Sequence, residues 1–100
     1  MTDSILQSRR ECYVCRHKFG IKNDGQLDRH HVFGGSRRQI SEQYGLTVYL
    51  CREHHTLQNG YSVHFDAELR HWLQARAQDA LAQQVGEDQA IEILGKNYKE

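Results

Sequence analysis

The sequence predicts a small α+β domain, and three features indicate this class. Ligand-type residues occur twice at the spacing of two metal ligands on one turn, as Cys12-x-x-Cys15 and Cys51-x-x-His54. Residues 46–50, Leu-Thr-Val-Tyr-Leu, have the β-branched and aromatic composition of a strand. Residues 66–85 carry apolar side chains at helical i, i+3 and i+4 spacing. A chain of 100 residues with these elements is predicted to be one domain, spanning 1–100.

The first half of the chain is predicted to hold the strands. In chain order its segments are a flexible or weakly helical lead-in (1–10), a tight cysteine knuckle (11–19), a turn at Asn23-Asp24-Gly25, a strand (27–33), a loop opened by Gly34-Gly35, and a second strand (46–50). The knuckle, the strands and a following short helix form the core of the domain, 11–60, which precedes the C-terminal helices of 61–100.

Three helices are predicted after the second strand. A short one runs from Cys51 to about Asn59 and is stopped by Gly60. A longer one begins at the capping residue Asp66, ends before Gly86 and is followed by a last helix over 87–94. The long helix is predicted to bury an apolar stripe made of Leu69, Trp72, Leu73, Ala77, Ala80, Leu81 and Val85.

Composition limits the class of protein. Hydrophobic residues make up 38% of the chain and the mean hydropathy is −0.80, so the predicted core is small and a metal would help to hold it. Three cysteines cannot form a complete set of disulfides, and no apolar leader or membrane span is apparent, which predicts a reducing cytoplasmic location. The 13 basic and 13 acidic residues cancel, but residues 9–38 are strongly basic.

The cysteine pattern predicts a structural zinc site. Cys12, Cys15, Cys51 and His54 make a Cys₃His set, and each two-residue spacer lets both ligands reach one tetrahedral ion. The alternative is three buried structural cysteines beside a surface histidine, since free cysteine is often buried. The paired spacings favour zinc.

Further histidines surround these ligands, and here the sequence resembles the HNH endonuclease family. The resemblance is carried by Asp28-Arg29-His30-His31-Val32 and by 50–59, Leu-Cys-Arg-Glu-His-His-Thr-Leu-Gln-Asn, with a softer match at His64-Phe65-Asp66 and 95–98 to small phage proteins of HNH type. It implies a ββα-metal (His-Me finger) fold that is stabilised by zinc and carries two C-terminal packing helices. It also implies His31 as the general base that activates water, with His30, His55 and Asn59 as ligands of a catalytic cation.

The chain departs from the family pattern at two positions. Leu46 stands where the family has its middle Asn, and Thr47 or backbone groups would have to replace the brace that this Asn provides. His64 lies outside the basic motif and is either an alternative to Asn59 as ligand or a core histidine. The catalytic cation is predicted to be Mg²⁺ or Mn²⁺, with Ni²⁺ or Zn²⁺ as alternatives, since imidazole accepts all of them.

Four arginines are candidates for contacts with DNA phosphates, because guanidinium groups bind phosphate in two-pronged fashion. They are Arg29, Arg37, Arg38 and Arg52. Two functions remain open. The first is a metal-dependent endonuclease that nicks double-stranded or branched DNA, acting alone or as a homodimer, with RNA as a further possible substrate. The second is a non-catalytic zinc module that binds nucleic acid or a protein in recombination or packaging. No membrane partner is expected.

Overall fold

The computed structural model describes residues 3–57 and 62–99 and has the α+β class that the sequence predicts. Its elements in chain order are α1 (Tyr13–Phe19), β1 (Leu27–His31), a short 3₁₀ turn (Gly35–Arg37), α2 (Arg38–Tyr44), β2 (Thr47–Cys51), α3 (Arg52–His55), α4 (Ala67–Val85) and α5 (Glu87–Leu94).

The two strands form an antiparallel hairpin that holds most of the motif residues. The register pairs Leu27 with Cys51, Arg29 with Tyr49 and His31 with Thr47. β2 is almost entirely buried, as expected of the most apolar segment of the chain.

The lead-in runs along the free edge of β2. The Ile5 amide donates to the Gly45 carbonyl at 2.9 Å, and the Tyr49 amide donates to Gln7 Oε1 at 2.5 Å. Gly45 has φ +72°, and a Cβ there would lie 2.2 Å from the Asp3 carbonyl oxygen, so this approach requires glycine. Paired in this way, the edge is closed to a further strand.

The long C-terminal helix begins and ends where the sequence predicts. The Asp66 carboxylate accepts the amides of Glu68 and Leu69, and Gly86 ends the helix. α5 ends at Gly95, which has a left-handed conformation. Both predicted boundaries of α4 are therefore confirmed.

The buried face of α4 differs from the predicted stripe at four positions, one of which is Ala80, a half-buried residue. Val85 is 37% exposed, so its prediction as core is wrong, because the helix end projects past the domain. Trp72 is only half-buried, against Tyr13 and beneath Arg76. Gln78 is fully buried and was not expected; its side-chain amide donates to Asn97 Oδ1 at 2.8 Å and accepts the Tyr98 amide at 2.6 Å.

Several predicted segments of the first half are corrected. The segment after Gly34 is not a plain loop, since it contains α2. The cysteine knuckle continues into the two-turn helix α1. β1 ends at His31, after which Val32 and Phe33 turn into the core. In the described chain α3 ends at His55, while Asn59 lies outside the described residues.

The core lies between the hairpin and the C-terminal helices. It combines the three cysteines with Leu46, which precedes β2, and with apolar side chains of β2, α4 and α5. Leu46, Leu50, Leu73, Leu81 and Leu94 are almost fully buried. Across 3–57 and 62–99, no helix has both the length and the apolar character that crossing a membrane requires.

Candidate metal centre and adjoining histidine pocket

The Cys₃His ligand set forms a compact group, here named the thiol cluster: Cys12, Cys15, Cys51 and His54. The three cysteine sulfurs are fully or nearly fully buried, and His54 is 9% exposed. His54 Nδ1 lies 3.6, 3.4 and 3.3 Å from the sulfurs of Cys12, Cys15 and Cys51. The Cys15 and Cys51 sulfurs are 3.8 Å apart.

These separations match a tetrahedron around zinc. Zn–S bonds of about 2.3 Å and Zn–N bonds of about 2.0–2.1 Å require S–S edges of about 3.8 Å and S–N edges of about 3.6 Å. The thiol cluster could therefore hold a zinc ion without rearrangement. Burial and the neighbouring Cys12 raise the pKa of the Cys15 thiol to about 12, and burial also raises the pKa of Cys51, so these two thiols are ionised readily only beside a cation.

Local structure explains how the thiol cluster is built. The Cys12 sulfur caps α1 by accepting the Cys15 amide at 3.4 Å. The Asn23 side-chain amide donates to the Cys15 sulfur at 3.8 Å, and the Phe19 ring stacks on His54 with centroids 5.6 Å apart. These neighbours form the kind of outer layer that orients metal ligands.

A second group, here named the histidine cluster, consists of His30, His55 and His64. One ring nitrogen of each lies within 4.8 Å of those of the other two. Their ring centroids are 5.1 Å (His30–His55), 5.3 Å (His30–His64) and 4.9 Å (His55–His64) apart. Imidazole is the commonest metal-binding side chain, so three that converge this closely form a candidate metal site.

Burial lowers the pKa of two members of the histidine cluster, His30 and His64. Burial, reinforced by the neighbouring imidazoles, lowers the pKa of His30 to about 3. Burial and His55 also lower the pKa of His64. The Asp28 carboxylate lies 3.1 Å from His55 Nδ1 and would accept a hydrogen bond from its N–H, which leaves Nε2 as the nitrogen that can bind a metal.

His31 adjoins this cluster but has a different partner. Its Nε2 lies 2.6 Å from Glu42 Oε1 on α2, and the same carboxylate accepts Arg29 Nη1 at 2.7 Å. The two hydrogen bonds, Arg29 first and His31 second, lower the pKa of Glu42 to about 2. The Glu42 carboxylate can accept a hydrogen bond from His31 Nε2–H, which leaves Nδ1 as the ring nitrogen that this bond does not use.

A hollow of about 430 Å³, here named the histidine pocket, connects these groups. It is lined by the histidine cluster, by His31, by Arg29 and Arg38, and by Arg70 and Gln74 of α4. Arg70 donates to the Val63 carbonyl at 3.1 Å and helps to lower the pKa of His64. Sequence reasoning missed Arg70 and Gln74, whose i, i+4 spacing on α4 was their only signal.

The four arginines that the sequence predicts to contact DNA phosphates lie in different parts of the structure. Arg29 and Arg38 line the histidine pocket, although Arg29 is already paired with Glu42. The Arg37 guanidinium instead packs against Gly95, close enough that a Cβ there would lie 2.9 Å from Nη1. Arg52 lines a separate hollow with Arg10.

Comparison with known proteins does not place the chain in a family. No family model matches it, and neither a curated protein nor a solved structure matches it significantly. The HNH resemblance therefore stands on the residue pattern of this chain alone.

Leu46 stands where the HNH pattern has its middle Asn, and other groups brace the chain near this position. Leu46 is fully buried, and its carbonyl accepts the Val32 amide at 3.0 Å. The buried Ser41 hydroxyl donates to the Phe33 carbonyl at 2.8 Å and accepts the Phe33 amide at 3.0 Å. Ser41 and the Leu46 carbonyl thus brace the segment that follows His31.

Proposed function

We propose that this protein is a metal-dependent HNH endonuclease of ββα-metal architecture that hydrolyses DNA phosphodiester bonds one strand at a time. The observation that carries the proposal is the convergence of His30, His55 and His64, with His31 in the same pocket. β1 supplies His30 and His31, α3 supplies His55, and the segment before α4 supplies His64. Fold alone would not indicate catalysis, and the surplus of ligands beyond one zinc site does.

The thiol cluster would hold a structural zinc ion. Its sulfur and nitrogen ligands form a closed four-ligand set, and buried thiolates need a cation to offset their repulsion. The ion would fix α1 and the lead-in side of the domain to the end of β2.

The histidine cluster would hold the second, catalytic cation. Its three candidate ligands are all nitrogens, which favours Mn²⁺, Ni²⁺ or Zn²⁺ over the oxygen-seeking Mg²⁺ that the sequence alone suggests. Asp28 behind His55 completes a carboxylate–histidine pair of the type that strengthens metal ligands. Bound there, the cation would supply Lewis-acid stabilisation of the charge on the phosphorane and on the leaving oxygen.

His31 would be the general base. With Nε2–H donated to Glu42, Nδ1 is the atom that takes a proton from the attacking water. Attack on phosphorus and rupture of the bond to the 3′ oxygen leave a 5′-phosphate and a 3′-hydroxyl. Arg38 and Arg70, which line the same pocket, would hold the phosphate oxygens in place.

A plasmid-nicking assay tests the proposal. Supercoiled DNA is incubated with zinc-loaded protein and with Mg²⁺, Mn²⁺, Ni²⁺ or EDTA, beside His31→Ala and the control His71→Ala, which changes an exposed histidine of α4. We expect cation-dependent relaxation by the wild type and the control. Loss of the base should lower the rate about 10²–10⁴-fold in His31→Ala without change in zinc content.

The alternative function, a non-catalytic zinc module, would replace the nuclease if the assay fails. If folded, zinc-loaded wild type cleaves nothing under any cation but binds DNA, the protein is a non-catalytic zinc module. Cleavage that persists in His31→Ala would remove the assigned base while leaving the nuclease.

A further inference from the structure

A further hollow lies next to the histidine pocket, between the lead-in and the hairpin. It has a volume of about 480 Å³ and is here named the edge hollow. Its chemistry comes from Arg9, Arg10, Arg29 and Tyr49, with Asp3 as its one carboxylate. Neither the zinc site nor the proposed hydrolysis uses Arg9, Arg10 or Tyr49.

Tyr49 and Arg10 form a stacking unit in this hollow. The Arg10 guanidinium lies over the Tyr49 ring, 5.5 Å from its centroid, and Arg10 Nη1 donates to the Gly25 carbonyl at 3.4 Å. Tyr49 is half-buried, while Arg9 and Arg10 are exposed. An aromatic ring beside two exposed guanidinium groups is the pattern by which proteins bind single-stranded nucleic acid, since the ring stacks on a base and the cations meet the backbone.

The hairpin places this unit beside the proposed catalytic groups. Tyr49 lies opposite Arg29 in the register, and Arg29 directly precedes His30 in β1. Arg29 lines both the edge hollow and the histidine pocket, so the two hollows adjoin the same side chain. A strand whose phosphate lies in the histidine pocket would therefore bring its neighbouring nucleotides to Tyr49.

We infer that the edge hollow binds an unpaired DNA nucleotide next to the scissile phosphate, with its base stacked on Tyr49 and its phosphates held by Arg9 and Arg10. This inference rests on the proposed nuclease function and specifies its substrate class. A base in the hollow has left its duplex, so the preferred substrate is single-stranded DNA or a branch with an unpaired strand, not continuous duplex.

Fluorescence anisotropy without added divalent cation tests the inference independently of cleavage. The probes are a single strand, a hairpin duplex of the same composition, and that duplex with an unpaired flap. The variants are Tyr49→Ala and Arg9→Ala, with two controls: Tyr49→Phe, which keeps the ring, and Arg37→Ala, whose arginine packs on Gly95 outside the hollow. Zinc content and circular dichroism report folding for each.

We expect the wild type to bind the strand and the flap more tightly than the duplex. Tyr49→Ala should weaken binding of both by about tenfold, the size of one lost base stack, while duplex binding and Tyr49→Phe stay within about twofold of the wild type. Arg9→Ala should reduce the salt dependence of strand binding by about one phosphate contact, and Arg37→Ala should not.

Two results would overturn the inference: tighter binding of duplex than of strand by the wild type, or equal binding of the strand by Arg9→Ala, Tyr49→Ala and wild type. Failure of the nuclease is distinguishable from both. If the protein never cleaves DNA but binds the single strand in a Tyr49-dependent way, the edge hollow is supported as a binding site and the nuclease proposal is refuted. If cleavage depends on His31 but the protein shows no preference for unpaired DNA, the nuclease proposal is supported and the role of the edge hollow is refuted.

Discussion

Replacing Ser41 by alanine tests the brace behind the histidine pocket. The Ser41 side chain is fully buried, and both of its hydrogen bonds go to the backbone of Phe33, which is 2% exposed. Alanine would leave one buried N–H and one buried C=O without these partners. An unsatisfied buried polar group costs about 1–3 kcal/mol, so the expected loss of unfolding free energy is about 3 kcal/mol. That corresponds to a fall in Tm of about 12 °C or more for a domain of this size.

Denaturant unfolding with zinc held in excess measures this loss, and Ser36→Ala is its control. Ser36 is exposed in the 3₁₀ turn five residues before Ser41, so its replacement should change the free energy of unfolding by less than about 0.5 kcal/mol. The bonds of Ser41 also fix the chain two residues after His31, so the nicking rate of Ser41→Ala should fall even at temperatures where it is folded. A stability loss as small as that of Ser36→Ala would refute the brace.

Two further predictions concern the metals. Removal of zinc with a chelator should abolish the cooperative thermal transition, and so should Cys51→Ser, because the binding energy of a structural zinc exceeds the net stability of most small domains. Circular dichroism measures the transition and metal analysis measures the zinc content. A zinc-free protein that melts within a few degrees of the untreated one would contradict the prediction. Asp28→Asn should weaken the binding of Mn²⁺ or Ni²⁺ about tenfold, measured by calorimetry at unchanged zinc content, because the Asp28 side chain orients His55. The expected effect is at the small end of the range for such partners because the Asp28 side chain is 57% exposed. Unchanged affinity would show that His55 does not need its carboxylate partner.

Local signals in the sequence are enough to predict most of the elements. The Asp66 cap and the glycine stops of α4 and α5 act within one turn, so the helix boundaries follow from neighbouring residues alone. The cysteine spacings likewise predict the thiol cluster, because each pair brings two ligands to one turn.

Elements that depend on distant contacts could not be predicted. α2 has little apolar periodicity and follows two glycines; it is held by Ser41, whose partner Phe33 is eight residues away. The same holds for His64, which meets His30 only after the hairpin and the start of α4 are packed. The sequence shows that His64 lies outside the basic motif, but only the tertiary structure shows that it lies beside His30.

The two clusters are linked through one short helix. α3 spans only Arg52–His55, and a helix of four residues has no stability of its own in water. His54 belongs to the thiol cluster and His55 to the histidine cluster, and adjacent residues on a helix point about 100° apart. The direction of His55 is therefore fixed by the attachment of Cys51 and His54 to the thiol cluster. A zinc ion held there would position the proposed second site as well as the fold, so removal of zinc should also abolish binding of the second cation.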